Sequence, residues 1–187
     1  MYNRTIVEER SKNIVVMDVF SKLVQKRIIF IDDEINDDLA NGVIAQMLYL
    51  DSLDNKAPID IYINSPGGNV YSGLAIYDIA KLIKAPIKTV GMGMAGSMAA
   101  ILMLMGKERC ATQNCKFLIH QPMGGVAGQA SDIKIVAQEI DKIKTSLYNI
   151  ISEHTGQPID KIIVDADRDY WMTAEEAKEY GLITKIL

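Results

Sequence analysis

The sequence predicts an α/β protein built around a parallel β-sheet. Three apolar runs typical of buried strands begin at Ile59, Ile87 and Phe117, which are 28 and 30 residues apart. Each run is followed by a segment that contains glycine and then by a helical pattern of apolar residues. This repeat of strand, loop and helix is what parallel pairing with right-handed crossovers requires. We therefore expect the three glycine segments to meet at one edge of the sheet.

The three repeated units have these boundaries. The first has a strand over 59–64 and a helix over about 70–84, and the third has a strand over 117–120 before a Gly124-Gly125 loop. The second has a strand over 87–90, a glycine loop, and an apolar helix over 97–105 that is expected to be buried on all sides.

Further elements lie on either side of these units. Residues 27–32 are predicted as a strand, and 36–53 as a helix with acidic residues in its first turn. Near the C-terminus, one helix is expected to begin at Pro158. A second begins with the capping-box pattern Thr173-Ala-Glu-Glu176 and stops at Gly181, before an apolar tail.

The longest predicted element is a helix over 131–154. At about 1.5 Å per residue it extends about 35 Å, which is more than one small domain can cover. Its apolar residues recur at steps of three and four; they are Ile133, Val136, Ile140, Ile143, Leu147 and Ile150. This seam predicts a partner surface, most simply a second copy of the chain. The alternative is that the helix lies across its own sheet.

Composition limits the function classes. The chain has 187 residues, of which 49% are hydrophobic and 24% charged, so we predict one packed domain over 1–187. The net charge is −4 and no stripe of lysine or arginine occurs, which argues against a nucleic acid partner. Two cysteines and two histidines exclude a disulfide scaffold. We expect no metal site, and a reducing cytoplasmic location.

No segment predicts secretion or membrane insertion. Residues 1–10 carry charges of both signs and lack the apolar core of a signal peptide. An uncharged stretch runs from Thr89 to Gly106, which is near the lower length limit for a membrane span. Three glycines in its first half favour a strand, a loop and a buried helix instead. We expect no membrane partner.

Ser97 and His120 are candidates for a nucleophile and its base. Ser97 lies where the second glycine segment enters its helix, and His120 ends the third strand, so both are expected at the same sheet edge. The alternative for Ser97 is a simple helix N-cap. The other histidine, His154, is interpreted as a cationic cap in the last turn of the long helix.

A third group must orient the imidazole. Asp165, Asp167 and Asp169 are all candidates on spacing alone, and a solvated acidic turn is the alternative for all three. The backbone N–H groups of Gly68 and Met98 are candidate oxyanion donors.

Three other features have competing interpretations. Gly67-Gly68 alone is equally compatible with a tight turn. The Gly124-Gly125 segment offers an exposed edge on which an extended peptide can add as a strand. Cys110 and Cys115 lack further ligands apart from His120 and are predicted to be small buried hydrophobic residues.

Five segments together resemble the ClpP family, the proteolytic subunits of ATP-dependent caseinolytic proteases. The resemblance covers nearly the whole chain. Its segments are Tyr62-Ile-Asn-Ser-Pro-Gly-Gly68, Gly91-Met-Gly-Met-Ala-Gly-Ser-Met98, Ile119-His-Gln-Pro-Met-Gly-Gly125, Gly128-Gln-Ala-Ser-Asp-Ile133, and Asp167-Arg-Asp169 with Ala174-Glu-Glu-Ala-Lys-Glu-Tyr-Gly-Leu182.

The resemblance implies a fold and an activity. The fold is the ClpP/crotonase-type spiral of β-β-α units with a protruding handle helix, here 131–154, and an N-terminal gate segment over 1–20. The activity is that of a serine endopeptidase with the triad Ser97, His120 and Asp169 and an oxyanion hole from Gly68 and Met98. Peptide substrates would be aligned by Met123, Gly124, Gly125, Val126 and Ala127.

The resemblance also implies an assembly. Two stacked heptameric rings enclose the active sites, and a hexameric AAA+ ATPase unfolds proteins and feeds them in as polypeptides. ATP is used by that ATPase, so no cofactor is expected for this chain. The alternatives are an inactive or structural ring subunit and a crotonase-like acyl-CoA enzyme, which would need no serine nucleophile.

Departures from the family pattern concern loop packing, the gate and ATPase docking. The nucleophile loop differs at Met94, Gly96 and Ala99, and the segment 11–16 lacks the family's Arg-Gly-Glu-Arg stretch. In the docking pocket implied by the resemblance, four apolar residues are kept, namely Tyr62, Leu82, Val90 and Met92. Three positions carry unusual residues, namely Asp60, Cys110 and Thr112. We therefore expect weak or altered docking.

Overall fold

The structure, a computed structural model, describes residues 5–10 and 13–187 and confirms the predicted α/β class. The strands are β1 (Thr5–Arg10), β2 (Asn13–Asp18), β3 (Ile28–Ile31), β4 (Ile59–Ser65), β5 (Ile87–Gly96), β6 (Glu108–Ala111), β7 (Lys116–Ile119), β8 (Tyr170–Met172) and β9 (Lys185–Ile186). The helices are α1 (Val19–Val24), α2 (Asp37–Leu53), α3 (Val70–Leu82), α4 (Met98–Met103), α5 (Ala130–Thr155), α6 (Ile159–Asp165) and α7 (Ala174–Tyr180).

The central sheet branches at β5. Strands β3, β4, β5, β6 and β9 follow one another in parallel. The first half of β5 pairs with β6, and its last residues, Met94 to Gly96, pair with β7. Strand β8 then adds antiparallel to β7. The parallel pairing predicted for the three repeated units is confirmed, and it brings the ends of β4, β5 and β7 together.

Alternating burial explains why these segments form strands. In β4, Ile59, Ile61 and Ile63 are buried and alternate with more exposed residues. All six residues of α4 are buried, as predicted for a helix that is apolar on every side. The main core forms where α4 and the buried isoleucines of the sheet pack together.

The two halves of α5 have different surroundings. Leu147, Tyr148 and Ile151 are buried in the core of the chain itself, whereas Ile133 and Ile135 are 43% and 63% exposed. At about 1.5 Å per residue, the 26 residues of the helix extend about 39 Å. The N-terminal half of α5 is therefore exposed enough to form the predicted partner surface. The C-terminal half follows the alternative, because it packs on the chain's own core.

Several boundaries differ from the prediction. The predicted glycine loop over 91–96 is part of β5, because the small residues there pair with β6 and β7. The strand predicted from residue 27 begins one residue later, because Arg27 has a left-handed φ of 64°. Helix α3 ends at Leu82 because Ile83 is extended. The sequence analysis missed strands β1, β2, β6, β8 and β9 and helix α1.

The C-terminal helices follow the prediction. Pro158 precedes α6 directly, and Thr173 and Glu176 form the capping box of α7, which ends at Gly181 in a left-handed conformation. At the other end, β1 and β2 form an antiparallel hairpin within the predicted gate segment. Residues 1–4 and 11–12 of that segment lie outside the described residues. Among the described residues, no helix is both long and apolar enough to cross a membrane.

Candidate active site

Ser97 lies at the sharp turn between β5 and α4. Its φ of 52° and ψ of −122° are unusual for a residue with a side chain, and its N–H donates to the Leu118 carbonyl at 2.8 Å. Ser97 occupies the N-cap position of α4, yet its side chain makes no capping bond. The N-cap explanation therefore does not account for this hydroxyl.

The Ser97 hydroxyl instead contacts His120. Its Oγ is 2.8 Å from Nε2 of His120, and Nδ1 of the same ring is 3.1 Å from Oδ1 of Asp169. An ionised carboxylate only accepts hydrogen bonds, so Nδ1 carries the proton it donates to Asp169. Nε2 is then left as the acceptor for the serine hydroxyl. The structure thus brings the three predicted residues together in the order needed to remove the serine proton.

Strand pairing explains why Asp169 reaches the imidazole. Ile119 of β7 is paired with Tyr170 of β8, so the residues just beyond this pair, His120 and Asp169, are neighbours. The carboxylates of the other two candidates, Asp165 and Asp167, accept hydrogen bonds from residues other than His120. The Asp165 carboxylate contacts Lys161 and accepts from the Tyr180 hydroxyl.

Gln121 is a positioning residue that the sequence analysis missed. Its backbone N–H donates to the Ala166 carbonyl at 2.6 Å, and its side-chain amide donates to the Asp167 carbonyl at 2.7 Å and the Asp167 carboxylate at 3.3 Å. Asp169 lies just after the residues bonded by Gln121. These bonds therefore hold the Asp169 loop against the end of β7. The sequence offered no signal for this role beyond its position after His120.

The Gly67-Gly68 loop lies against the nucleophile. Both glycines have positive φ, 104° and 146°, and a Cβ added to Gly67 would lie 2.7 Å from Cβ of Ser97. Ile35 holds the loop from the other side. Its N–H donates to the Gly67 carbonyl, and its carbonyl accepts from the Asn69 N–H, each at 2.7 Å.

Within residues 5–10 and 13–187, this bridge leaves the Gly68 N–H without an acceptor, and Met98 is the first residue of α4, so its N–H has no acceptor within the helix. The two predicted oxyanion donors therefore belong to segments that meet at Ser97.

Two cavities adjoin Ser97 and His120. A small apolar one, about 20 Å³, is lined by Val70, Met98 and Leu147 among others. A more open cleft of about 330 Å³ extends past Gly68 and Met123.

The predicted substrate segment lies beside these cavities. Met123, Gly124 and Gly125 line a further groove against the N-terminal half of α5. The whole segment 123–127 is exposed and irregular and belongs to none of the strands, so it is accessible but does not itself form a strand edge.

Comparison with known proteins identifies the family. The family model for Clp protease matches residues 10–187. Proteins named ATP-dependent Clp protease proteolytic subunit are similar over almost the whole chain. The protein from Bacteroides fragilis is 53% identical over 187 residues, which cover 99% of this chain and 90% of that protein. The one from Porphyromonas gingivalis is 52% identical, with 98% and 83% covered.

The chain belongs to the Clp protease family. This confirms the resemblance carried by the five motifs, and with it the ClpP-type fold and the serine protease class.

The residues predicted to dock a Clp ATPase are not all accessible. Leu82 is 73% exposed, and Tyr62 is half-buried with its ring stacked on Phe30 at 5.5 Å. The expectation that Val90 keeps apolar surface is wrong, since Val90 is 2% exposed. Its neighbour on β6, Cys110, is fully buried. Both lie in the interior of the sheet, where β5 is flanked by β4 and β6.

His154 is not the cationic cap that the sequence suggested. Its Nε2 lies 2.7 Å from the Tyr77 hydroxyl, and burial lowers the pKa of the ring, which favours the neutral form. Cys110 and Cys115 are buried as predicted, and burial raises the pKa of the Cys115 thiol to about 11. Over residues 5–10 and 13–187, no group of three or more ligating side chains that could hold a metal occurs.

Replacing Gly68 tests the loop beside the nucleophile. In Gly68→Ala the new Cβ would meet the Ile35 carbonyl oxygen at 2.3 Å, at a φ that alanine rarely adopts, so the loop must shift and move its N–H. We expect peptide hydrolysis to fall by about 100-fold. Circular dichroism should show an intact fold.

Gly42→Ala is the matched control, because a Cβ there meets nothing within 4 Å, and its activity should be unchanged. Full activity in Gly68→Ala would contradict the assigned role of the loop.

Proposed function

We propose that this Clp protease family member is a serine endopeptidase that cleaves unfolded polypeptides. The observation that carries the proposal is the continuous contact from Ser97 Oγ through the His120 imidazole to the Asp169 carboxylate. Neither an inactive ring subunit nor an acyl-CoA enzyme requires this contact. The strained turn that presents Ser97 adds support, because strain of this kind is concentrated at functional sites.

The proposed reaction is acyl transfer through the serine. His120 Nε2 takes the proton from Ser97 Oγ as the oxygen attacks the peptide carbonyl, and Asp169 stabilises the imidazolium that forms. The N–H groups of Gly68 and Met98 donate to the oxyanion of the tetrahedral intermediate. His120 then gives the proton to the leaving amine, and water hydrolyses the acyl-enzyme by the same steps.

The cavities suggest how a peptide is held. We assign the small apolar cavity beside Ser97 to the side chain on the acyl side of the cleaved bond, and at about 20 Å³ it must widen to admit a group larger than a methyl. The exposed segment from Met123 to Ala127 is assigned to strand-like pairing with the substrate, because it lies beside the cleft and is engaged in none of the strand pairs of the sheet.

The proposed assembly follows the family. Two heptameric rings stack through the N-terminal halves of α5 and enclose the active sites, and an AAA+ Clp ATPase hexamer delivers unfolded chains. ATP is consumed by that partner, and this chain uses no cofactor. We propose a cytoplasmic location.

A covalent probe tests the nucleophile and its base. A fluorophosphonate should label Ser97 of the natural chain, and His120→Ala should abolish labelling because the hydroxyl loses its base. The reaction site can be mapped by mass spectrometry of the digested protein.

His154→Gln is the matched control, since it removes the other histidine and should leave labelling intact. Equal labelling of Ser97→Ala and the natural chain would contradict the proposed chemistry.

A charge on α5 tests ring stacking. Leu147 is unsuitable for this purpose because it is 7% exposed and packs in the chain's own core. Ile135→Glu instead places the charge on the exposed half, and we expect it to separate double rings into single rings, halving the mass in analytical ultracentrifugation. Asn149→Glu, on the half that packs on its own body, should keep the full mass. An unchanged mass for Ile135→Glu would contradict stacking through this surface.

Two surface replacements test ATPase docking. Asp60 is half-buried and Thr112 is exposed, and both stand where the family pattern has larger apolar side chains. Asp60→Tyr combined with Thr112→Leu should strengthen binding of a bacterial Clp ATPase by about tenfold or more. Asp160→Tyr adds an aromatic ring on α6 and should change nothing. Tight binding by the natural chain, unimproved by the double change, would contradict the expected weak docking.

A further inference from the structure

One carboxylate lines the open cleft beside the nucleophile. The cleft walls include Ser97, His120, Gly68, Pro66 and Leu118, which carry no negative charge, and Glu34, which does. Asp169 does not line this cleft, since its carboxylate lies behind the imidazole. A peptide that occupies the cleft would therefore pass close to one acidic side chain of its wall, that of Glu34.

The backbone holds Glu34 in place. The next residue, Ile35, is 1% exposed and is bonded on both sides to the Gly67-Gly68 loop. The Glu34 N–H itself donates to the Asp33 carboxylate at 2.7 Å. The position of Glu34 is thus coupled to the same loop that carries the proposed oxyanion donor, while its own side chain extends from an exposed residue.

The Glu34 carboxylate has no partner within the part of the chain that the structure describes. No lysine or arginine there forms an ion pair with it, and no hydrogen bond uses its side-chain oxygens. Glu176 provides a contrast, because its carboxylate folds back on the Thr173 N–H. Glu34 is therefore free to bind a cationic group of the substrate.

The two cavities indicate which end of the substrate meets Glu34. Pro66, Leu118 and Glu34 line the open cleft but not the small apolar cavity, which extends toward α5. With the acyl-side side chain in the apolar cavity, the open cleft is left for the residues after the cleaved bond.

We propose that Glu34 is a specificity-determining residue that favours lysine or arginine on the leaving-group side of the cleaved bond. The inference rests on the proposed endopeptidase function. Because Glu34 is exposed, the preference should be modest, about two- to fivefold in kcat/KM over a neutral residue. Salt should weaken it, since exposed charges are screened.

Internally quenched peptides that differ only in one residue after the cleaved bond test the proposal. Lysine, glutamine and glutamate are compared at the first and second positions, with the cleavage site verified by mass spectrometry. The natural chain should cleave the lysine peptide fastest at one of these positions and the glutamate peptide slowest. Glu34→Gln should remove the difference, and Glu34→Lys should reverse it.

Asp38→Asn is the matched control, because it removes a nearby exposed carboxylate that lies outside the cleft, and the lysine preference should persist. A preference that is absent in the natural chain, or unchanged in Glu34→Gln, overturns the proposal while hydrolysis of the glutamine peptide still supports the endopeptidase. Full hydrolysis by Ser97→Ala would instead contradict the proposed function itself.

Discussion

The position of β7 is the constraint on which the active site depends. Its parallel pairing with the end of β5 brings the Leu118 carbonyl to the Ser97 N–H, and its antiparallel pairing with β8 brings Asp169 to His120. The pairings of one four-residue strand thus determine the relative positions of three side chains that are far apart in sequence. Because backbone hydrogen bonds fix strand register, a slip of one residue would turn these side chains to the opposite face. The chemistry therefore depends on register more than on any single side-chain contact.

Much of this arrangement follows from the sequence, and the missing part has a physical cause. The parallel units, the buried α4 and the edge shared by Ser97 and His120 follow from local periodicity and from the geometry of crossovers. The choice of Asp169 over Asp165 does not, because β8 is three residues long and its pairing is set by tertiary contacts. Asp169 could be selected from the sequence only because the motifs resemble those of a known family.

Burial explains the other errors. A regular apolar seam predicted one surface along α5, yet its member Leu147 is inside the chain's own core while its member Ile133 is 43% exposed, because periodicity identifies a face and not what covers it. Val90 was assigned to a docking pocket by matching a family pattern, and His154 was interpreted as a cap from its place in the last turn of a helix. Neither argument contains information on burial, and only the packed structure shows that Val90 lies inside the sheet and that His154 is bonded to Tyr77.

The strain at Ser97 requires support from the structure around it. A left-handed φ on a residue with a side chain costs about 1 to 3 kcal/mol and persists only where neighbouring contacts fix the backbone. Here the following helix, α4, supplies six buried residues, while β5 and β7 hold the preceding segment in the sheet. Burial of even one large apolar side chain of α4, at about 1.5 to 3 kcal/mol, offsets the strain. The apolar run that resembles a membrane span in sequence thus acts as the anchor that lets the serine hydroxyl face His120 rather than cap its own helix.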